Sequence, residues 1–334
     1  MSYLLAGDIG GTKTSLAIIS AEAGPGAPLQ EATLPSGAYD SLEALTTEFL
    51  QDVEYTVDRA CFGVAGPVVG GNATITNLPW VMSETHLAET LNLQRVDLIN
   101  DLVAVATAVP NLPPEDLHVL NDAQADPTGP IAVFAPGTGL GEAYLVHNGR
   151  HYRAYPSEGG HADFAPNDLL EAELWRFLFE KFQGHVSWER VCSGIGIPNI
   201  YEFFKSRNPG EEPAWLAAAL AEASDITPII VNAALSKETN PENYCSLCAQ
   251  TLDLFIALMG AEAGNLALKV LSTGGVYLGG GIPPRILSSI EQGRFMERFL
   301  DKGRLSPVLE KTPVYVILNA QAALFGAACY GLEN

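Results

Sequence analysis

Short apolar runs of strand length alternate with amphipathic segments in the first third of this 334-residue chain. Alternation of this kind predicts an α/β fold, because each helix covers a face of the sheet that the strands build. A serine at position 41 is suited to cap the first helix. The expected strands are Tyr3–Gly7, Ser15–Ser20, Ala60–Ala65 and Val96–Ile99, and the expected helices are Leu42–Val53, Glu84–Leu93 and Asp101–Val109.

A proline-rich stretch at 110–114 is the strongest linker signal in the chain. Beyond it helices dominate, and the strand-then-helix pattern returns only near the end, which predicts that the end rejoins the first domain. We expect strands at Ile131–Ala135, Ala143–His147, Gly275–Gly279 and Val314–Leu318. The expected helices are Leu169–Phe182, Ser187–Ser193, Pro213–Ala223, Thr227–Leu235, a long one over about 243–271, and Gln321–Tyr330.

The net charge of −21, from 39 acidic and 18 basic residues, argues against nucleic acids and anionic membranes as partners. No signal peptide is recognised, and the fully apolar run Leu254–Ala261 is shorter than the ~20 residues of a membrane span. Five cysteines without a framework of short spacings fit a reducing compartment. We therefore expect a cytoplasmic protein, in which Cys245 and Cys248 pack inside a helical region rather than bind a metal.

A glycine-rich turn joins the first two predicted strands. It contains Gly10, Gly11 and Thr12 and leads into a strand, whereas a Walker A loop opens a helix. Glycines let backbone N–H groups approach an anion, and Thr12 adds a hydroxyl donor. Asp8, at the end of the first strand, is suited to a hydrated Mg²⁺. The alternative is an ordinary tight hairpin with a solvated aspartate.

Two further glycine clusters occur later in the chain. Gly137-Thr138-Gly139 again joins two strands, which suggests two similar lobes that each carry a phosphate-binding turn; a chance echo is the alternative. The spacing and the following strand do not match a dinucleotide site. Gly280 is the centre of a three-glycine run whose bare backbone suits a flat ring such as adenine, with a flexible surface turn as the alternative.

Polar residues suited to bind a sugar occur at three places in the sequence. Asn100-Asp101 ends a buried strand, where a carboxylate can accept a hydroxyl proton, although either residue is also a favoured helix cap. Glu158 and His161 are separated by two glycines, so both can line a small polar pocket; a metal site there lacks an evident third ligand. Glu189 is a further carboxylate for this pocket, or a solvated helical glutamate.

Taken together, these patterns resemble the bacterial-type glucokinases, outside their zinc-containing repressor/kinase relatives, over nearly the whole chain. The segments that carry the resemblance are Gly7–Thr12, Leu98–Asp101, Gly137–Gly141, Glu158–Pro166, His185–Arg190 with Ser193-Gly194, and Gly274–Pro284. The resemblance implies an α/β actin-like ATPase fold, related to ribonuclease H, with two lobes around a central cleft. It also implies a small α/β domain from residues 1–111 and 313–334, a large α+β domain from residues 112–312, and a homodimer.

The reaction that the resemblance implies is ATP-dependent phosphorylation of the 6-hydroxyl of D-glucose, with Mg²⁺ and without a structural zinc. Asp101 would be the general base, and the sugar ligands would be Asn100, Asp101, Glu158, His161 and Glu189, with Asn77 as a further contact. ATP and its metal would be bound by Asp8, Gly10, Gly11, Thr12, Gly137, Thr138, Gly139 and Gly280, with Asp8 holding Mg²⁺ through water.

Three other functions are compatible with parts of this pattern. A kinase for another hexose or an N-acetylhexosamine would differ only in details of the sugar pocket. A non-catalytic sugar sensor would lack the base, whereas Asp101 is present. A sugar-responsive repressor would need a DNA-binding domain. The first phosphate motif already includes Asp8, which leaves no room for a helix-turn-helix before it in this sequence, and a net charge of −21 opposes binding to DNA.

Overall fold

A computed structural model describes residues 2–75 and 78–333 of the chain. The described residues form fourteen strands, β1 to β14: Tyr3–Ile9, Lys13–Ser20, Pro28–Pro35, Arg59–Val64, Val68–Val69, Asn72–Thr74, Val81–Ser83, Arg95–Asn100, Leu117–Val119, Ile131–Pro136, Leu140–His147, Tyr152–Ser157, Gly275–Leu278 and Val314–Ile317. They also form twelve α-helices, α1 to α12: Leu42–Gln51, Glu84–Thr90, Asp101–Ala108, Leu169–Phe182, Gly196–Arg207, Ala214–Glu222, Thr227–Leu235, Ser246–Val270, Leu287–Ile290, Arg294–Leu300, Ser306–Leu309 and Ala322–Glu333.

The chain divides into two compact units. Unit 1 comprises Met1–Leu117, Ala143–Pro156 and Leu318–Asn334, and unit 2 comprises His118–Glu142 and Ser157–Ile317. The predicted domain limits at 111/112 and 312/313 stay a prediction.

Unit 1 is built on a five-stranded sheet with the order β3-β2-β1-β4-β8. Strand β1 is antiparallel to β2 and parallel to β4, and β4 is parallel to β8. The register places Asp8 opposite Gly63, and Gly63 opposite Ile99. Because parallel strands end at the same edge of a sheet, the side chains that follow β1 and β8 share one edge.

Apolar clusters cover both faces of this sheet. On one face Leu45 of α1, Leu87 of α2 and Phe62 of β4 belong to one apolar cluster, and all three are buried. On the other face α3 and α12 pack on β1 and β4. A side chain at Gly326 of α12 would collide with the carbonyl oxygen of Ala104 of α3, so glycine is required for the two helices to approach backbone to backbone.

Unit 2 contains the parallel strands β10, β13 and β14, which are neighbours in a six-stranded sheet. These strands are almost wholly buried, as expected where helices cover both faces of a parallel sheet. The long helix α8 packs against α5, α7 and α10. By length and composition α8 is apolar enough to cross a membrane, but 83% of its apolar window is buried, as in the core helix of a soluble protein.

Most predicted elements occur within a few residues of their expected bounds, and the Ser41 hydroxyl caps α1 by accepting the Ala44 N–H. The helix predicted at Ser187–Ser193 is wrong: the segment contains only a 3₁₀ turn at Trp188–Arg190, and α5 begins later, at Gly196. The prediction also missed β3, whose outward face is polar because it is an edge strand, and the short sheet of β5, β6 and β7.

Candidate active site

Hydrogen bonds to the backbone N–H and carbonyl groups of residues 10–12 fix the shape of the first glycine turn. The Gly10 N–H donates to the Lys13 carbonyl at 3.1 Å. Buried Ser36 donates its hydroxyl to the Gly10 carbonyl at 2.7 Å and its N–H to the Thr12 carbonyl at 3.1 Å. The Thr12 side chain remains exposed. The turn is therefore held from inside unit 1, with its threonine on the outer side.

Asp8 and Asp101 form an acidic pair at the edge where β1 and β8 end. Burial, followed by the charge of Asp101, raises the pKa of Asp8 to about 6, and the nearby Lys13 offsets part of this effect. Burial also raises the pKa of Asp101, against the opposing effect of hydrogen bonds to its carboxylate. A buried acid whose proton affinity is raised further by a neighbouring carboxylate is a place where a cation is bound favourably.

Asn100 is the N-cap of α3 and also orients the carboxylate of Asp101. Its Oδ1 accepts the N–H groups of Leu102 at 3.0 Å and Val103 at 3.3 Å. Its Nδ2 donates to the Gly66 carbonyl at 3.1 Å and to Asp101 Oδ1 at 2.9 Å. Capping, the alternative considered for this pair, therefore describes Asn100. It does not exclude a chemical role for Asp101, which Asn100 holds in place.

The second glycine turn, at residues 137–139, is supported by Glu189. Glu189 Oε2 accepts the Leu140 N–H at 3.0 Å, directly after the turn. A side chain at Gly139 would collide with this same oxygen. The Gly137 carbonyl accepts the Gly194 N–H at 2.8 Å. Glu189, predicted only as a sugar ligand, thus also fixes the backbone at the start of β11.

Glu158 immediately precedes a short 3₁₀ turn at Gly159–His161, which ends with His161 and which we call the sugar turn. Glu158 Oε2 lies 4.0 Å from His161 Nε2, and the two side chains are 84% and 62% exposed. The Trp188 N–H donates to the Ala162 carbonyl at 3.0 Å, which ties the sugar turn to the segment that carries Glu189. Unit 2 therefore carries three of the five predicted sugar ligands, Glu158, His161 and Glu189, on two backbone-linked segments.

A cavity of about 990 Å³ in unit 2 begins at Gly137 and Thr138. Apolar side chains from α5, α7 and the segment 281–286 form most of its wall. Gly280 lies beside it with φ +80°, and a Cβ there would be 2.5 Å from the Pro136 carbonyl oxygen. The second and third glycine clusters of the sequence therefore meet at one cavity.

Sequence reasoning missed part of the wall of this cavity. Asp225 accepts the Thr227 N–H at 3.0 Å at the start of α7, and the Thr227 hydroxyl donates to the Gly194 carbonyl at 2.8 Å. Asn232 and Arg285 add polar groups to the lining. The cap-like pattern at 225–228 signals the start of a helix, but nothing in it indicates the contact with Gly194.

The structure places the predicted residues in two sets. Unit 1 holds Asp8, Gly10, Gly11, Thr12, Asn100 and Asp101, and unit 2 holds Gly137, Thr138, Gly139, Glu158, His161, Glu189 and Gly280. Asn77 lies outside the described residues. Within residues 2–75 and 78–333, no group of three or more His, Cys, Asp or Glu side chains is arranged to hold a metal ion. Cys245 and Cys248 are both buried, as expected for packing residues.

Comparison with known proteins identifies the relatives of this chain. The sequence model of the family described as Glucokinase matches residues 5–334. A glucokinase from Synechocystis is 42% identical over 347 residues, covering 99% of this chain and 98% of the relative. The crystal structure of a glucokinase from an Antarctic psychrotroph superposes with a TM-score of 0.86 at 33% identity and covers 100% of both chains.

A more distant structure shows the same fold with ligands bound. A ROK-family glucokinase from Streptomyces griseus, in complex with glucose and AMPPNP, has a TM-score of 0.63 at 18% identity and covers 100% of both chains. The predicted α/β actin-like ATPase fold is confirmed by these structural neighbours. The resemblance stated from the sequence motifs is confirmed by the family match.

Proposed function

The chain belongs to the glucokinase family, and from that premise we propose that it transfers the γ-phosphoryl group of ATP to the 6-hydroxyl of D-glucose. The observation that carries this function is the match to the family over residues 5–334, together with 42% identity to a glucokinase along almost the whole chain. The products are glucose 6-phosphate and ADP, and both substrates are small molecules.

We propose Asp101 as the general base. Its carboxylate would accept the proton of the 6-hydroxyl while the sugar oxygen bonds to the γ-phosphorus and the bond to the β-phosphate oxygen breaks. Support comes from its place at the first position of α3, where Asn100 donates to its Oδ1 at 2.9 Å. A base held in one orientation loses less entropy in reaching the reactive geometry.

The sugar hydroxyls are bound, in this proposal, by Asn100, Asp101, Glu158, His161 and Glu189. Glu158 and His161 offer exposed acceptor and donor groups on the sugar turn. One carboxylate oxygen of Glu189 already accepts the Leu140 N–H. The carboxylate that would bind the sugar is therefore held in place before the sugar arrives. Fixed polar groups of this kind discriminate among sugars by the positions of their hydroxyls.

The phosphates of ATP would be bound at the two glycine turns by the hydroxyls of Thr12 and Thr138 and by backbone N–H groups not already bonded within the turns. The N–H groups of Gly10 and Gly137 donate to the Lys13 and Gly139 carbonyls, so these two glycines, with Gly11 and Gly139, would serve by letting the backbone approach the phosphates closely. The cavity that begins at Thr138 is large and apolar enough for a nucleoside, and we place adenosine there, with Gly280 beside it. This arrangement needs few basic residues, which agrees with a chain whose net charge is −21.

Asp8 fits the role of a ligand to hydrated Mg²⁺. Its carboxylate shares a sheet edge with Asp101. Burial, followed by the charge of Asp101, raises the pKa of Asp8 to about 6, an electrostatic cost that a divalent cation would relieve. When bound with ATP, Mg²⁺ neutralises charge on the phosphates. Asp8 would hold the cation through water, since Mg²⁺ keeps several of its waters.

The proposal is tested by measuring ATP-coupled turnover with glucose, mannose, fructose, N-acetylglucosamine and N-acetylmannosamine. We expect the highest kcat/KM with glucose. A clear preference for another sugar would instead identify a kinase for that hexose, and the absence of turnover with every sugar would overturn the enzymatic function.

The role of Asp101 is tested separately by Asp101→Asn, which keeps hydrogen bonding but cannot accept the proton. We expect kcat to fall by about 10²-fold or more with glucose affinity retained. Asp97→Asn is the matched control, because Asp97 lies on β8, the strand that leads directly to Asp101, but pairs with Arg95 at 2.7 Å. Turnover of the Asp101 variant within about tenfold of wild type would reduce Asp101 to a structural residue.

We also propose that the protein is a cytoplasmic homodimer, as members of the family commonly are. Sedimentation velocity at two protein concentrations tests the assembly, and a single monomer boundary at both concentrations would contradict it. Cell fractionation with an antibody to the protein tests the location.

A further inference from the structure

The sugar turn rests directly on the first residues of strand β11. A side chain at Gly160 would collide with the carbonyl oxygen of Leu140, and a side chain at Gly159 would collide with the carboxylate oxygen Oε2 of Glu142. Neither glycine has a positive φ, so the backbone itself does not demand glycine at these positions. The two glycines are required by the close approach of β11, and Glu142 occupies the place that a side chain at 159 would fill.

Glu142 belongs to a buried pair of acids. Its side chain lies within the core at 1% exposure, and Glu262 of α8 is at 0%. Glu262 accepts hydrogen bonds from Asn265 at 2.8 Å and from Lys269 at 3.0 Å. Among the groups that the structure describes, none donates a hydrogen bond to Glu142 Oε1. A buried carboxyl with an unmatched oxygen is costly, so its position calls for a functional explanation.

We propose that Glu142 is a positioning residue: paired with Glu262, it supports the sugar turn from below and thereby sets the affinity for glucose. This inference rests on the proposed function, because it assumes that Glu158 and His161 bind the sugar. Glu142 itself touches the backbone of the turn at Gly159 rather than the substrate. Its place two residues after Leu140, which is bonded to Glu189, lets one short strand segment support both parts of the sugar site.

The support depends on which form of the acid is present. Burial, and then the charge of Glu262, raises the pKa of Glu142 to about 7, with Lys269 opposing. The buried thiol of Cys192 also interacts with this pair, and Lys302 interacts with Glu262. Below this pKa the neutral carboxyl can donate its proton to Glu262, whereas above it two buried carboxylates repel each other beneath the turn.

The first test measures glucose affinity by calorimetry, without ATP, from pH 6 to pH 8.5. Between pH 6 and pH 8.5 we expect the affinity of the wild type for glucose to fall about fivefold more than the affinity of Glu142→Gln. The neutral amide of the variant can donate a hydrogen bond to Glu262 at every pH. Because the sugar turn also carries His161, the quantity compared is the difference between the two proteins. Identical pH profiles for wild type and Glu142→Gln would overturn the inference.

The second test is a double-mutant cycle between positions 142 and 159. In the wild-type background Gly159→Ala must displace the turn, and we expect the KM for glucose to rise about tenfold or more, with the KM for ATP within about twofold. In the Glu142→Ala background the severe conflict with the Glu142 carboxylate is gone, and only the Ser157 hydroxyl, 3.1 Å from the added Cβ, must shift slightly. Gly159→Ala should then change the KM for glucose by less than about threefold. Equal effects in both backgrounds would show that Glu142 does not support the turn.

Glu171→Gln is the control for a general effect of removing a buried acid. Glu171 is also 1% exposed in unit 2, but it pairs with Arg298 and accepts the Asn167 N–H. It should retain the wild-type pH dependence of glucose affinity, and a flattened profile would contradict the inference. Failure of the proposed function would appear differently, as a wild-type protein that neither binds nor phosphorylates glucose.

Discussion

Gly280 provides the sharpest test of how backbone geometry shapes the nucleotide cavity. Its φ of +80° is one that side chains disfavour, and an added Cβ would lie 2.5 Å from the Pro136 carbonyl oxygen and 2.9 Å from the Pro136 carbonyl carbon. Real Cβ atoms do not approach backbone this closely, so in Gly280→Ala either residue 280 or the segment before Gly137 must move. Gly137 lines the cavity, so the damage reaches the place proposed for ATP.

The expected cost has two parts. The strained backbone conformation contributes about 1 to 3 kcal/mol. The steric conflict with Pro136 adds about 1 to 3 kcal/mol, as for overpacked sites. The two parts together amount to about 2 to 6 kcal/mol. For a domain of this size 1 kcal/mol corresponds to about 2 to 4 °C, so the melting temperature of Gly280→Ala should fall by roughly 4 to 24 °C. We also expect the KM for ATP to rise about tenfold, because the second glycine turn is displaced.

Gly281→Ala is the matched control for this variant. Gly281 is the next residue and lines the same cavity, but a Cβ there would meet no atom within 4 Å and its φ is not positive. Both variants are compared by thermal unfolding and by the KM for ATP and for glucose. Equal melting temperatures for the two variants would refute the steric argument. A destabilised Gly280→Ala with an unchanged KM for ATP would refute the link between this glycine and the nucleotide.

Three further predictions concern the free energy of unfolding, which is measured by urea denaturation. Arg298→Met should destabilise unit 2 by about 3 to 5 kcal/mol, because it leaves the buried carboxylate of Glu171 uncompensated, and adding Glu171→Gln should recover part of the loss. Asn100→Ala should cost about 1 kcal/mol through the lost cap of α3; no loss would contradict its capping role. The pKa of Glu142 is about 7 in the folded protein and 4.5 in the unfolded chain, so between these pH values only the folded state binds the proton. The free energy of unfolding should therefore fall by about 3 kcal/mol as the pH rises from 4.5 to above 7. Glu142→Gln should remove this pH dependence.

The order of strands and helices could be predicted because the apolar pattern records it locally. Strand β10 is buried on both faces and reads as a continuous apolar run, so it was found at the correct place. Edge strand β3 was missed because alternate residues face solvent and it includes proline and glutamate. The helix expected around Trp188 failed because tertiary contacts hold that segment as a single turn, with the Trp188 N–H bonded to the Ala162 carbonyl.

For the candidate site, sequence reasoning selected residues by their chemistry, and the structure added what supports them. Nothing local in the sequence indicates that Ser36 closes the first turn or that Glu189 bonds the Leu140 N–H, since both contacts join segments far apart in the chain. Glu142 was overlooked for the same reason. It directly follows a recognised glycine motif, yet its burial against Glu262 depends on the packing of α8.

The divided composition of unit 1 has a consequence for synthesis of the protein. Its core joins Leu4 and Ala6 of β1 to Leu324 and Ala327 of α12, and α12 also packs on α3, the helix that begins with Asp101. Residues 118–317 contain the whole of unit 2 and leave the ribosome before α12 does. A growing chain can therefore complete unit 2 while α3 still lacks its packing partner, so we expect a nascent chain that has not yet released α12 to be unable to phosphorylate glucose.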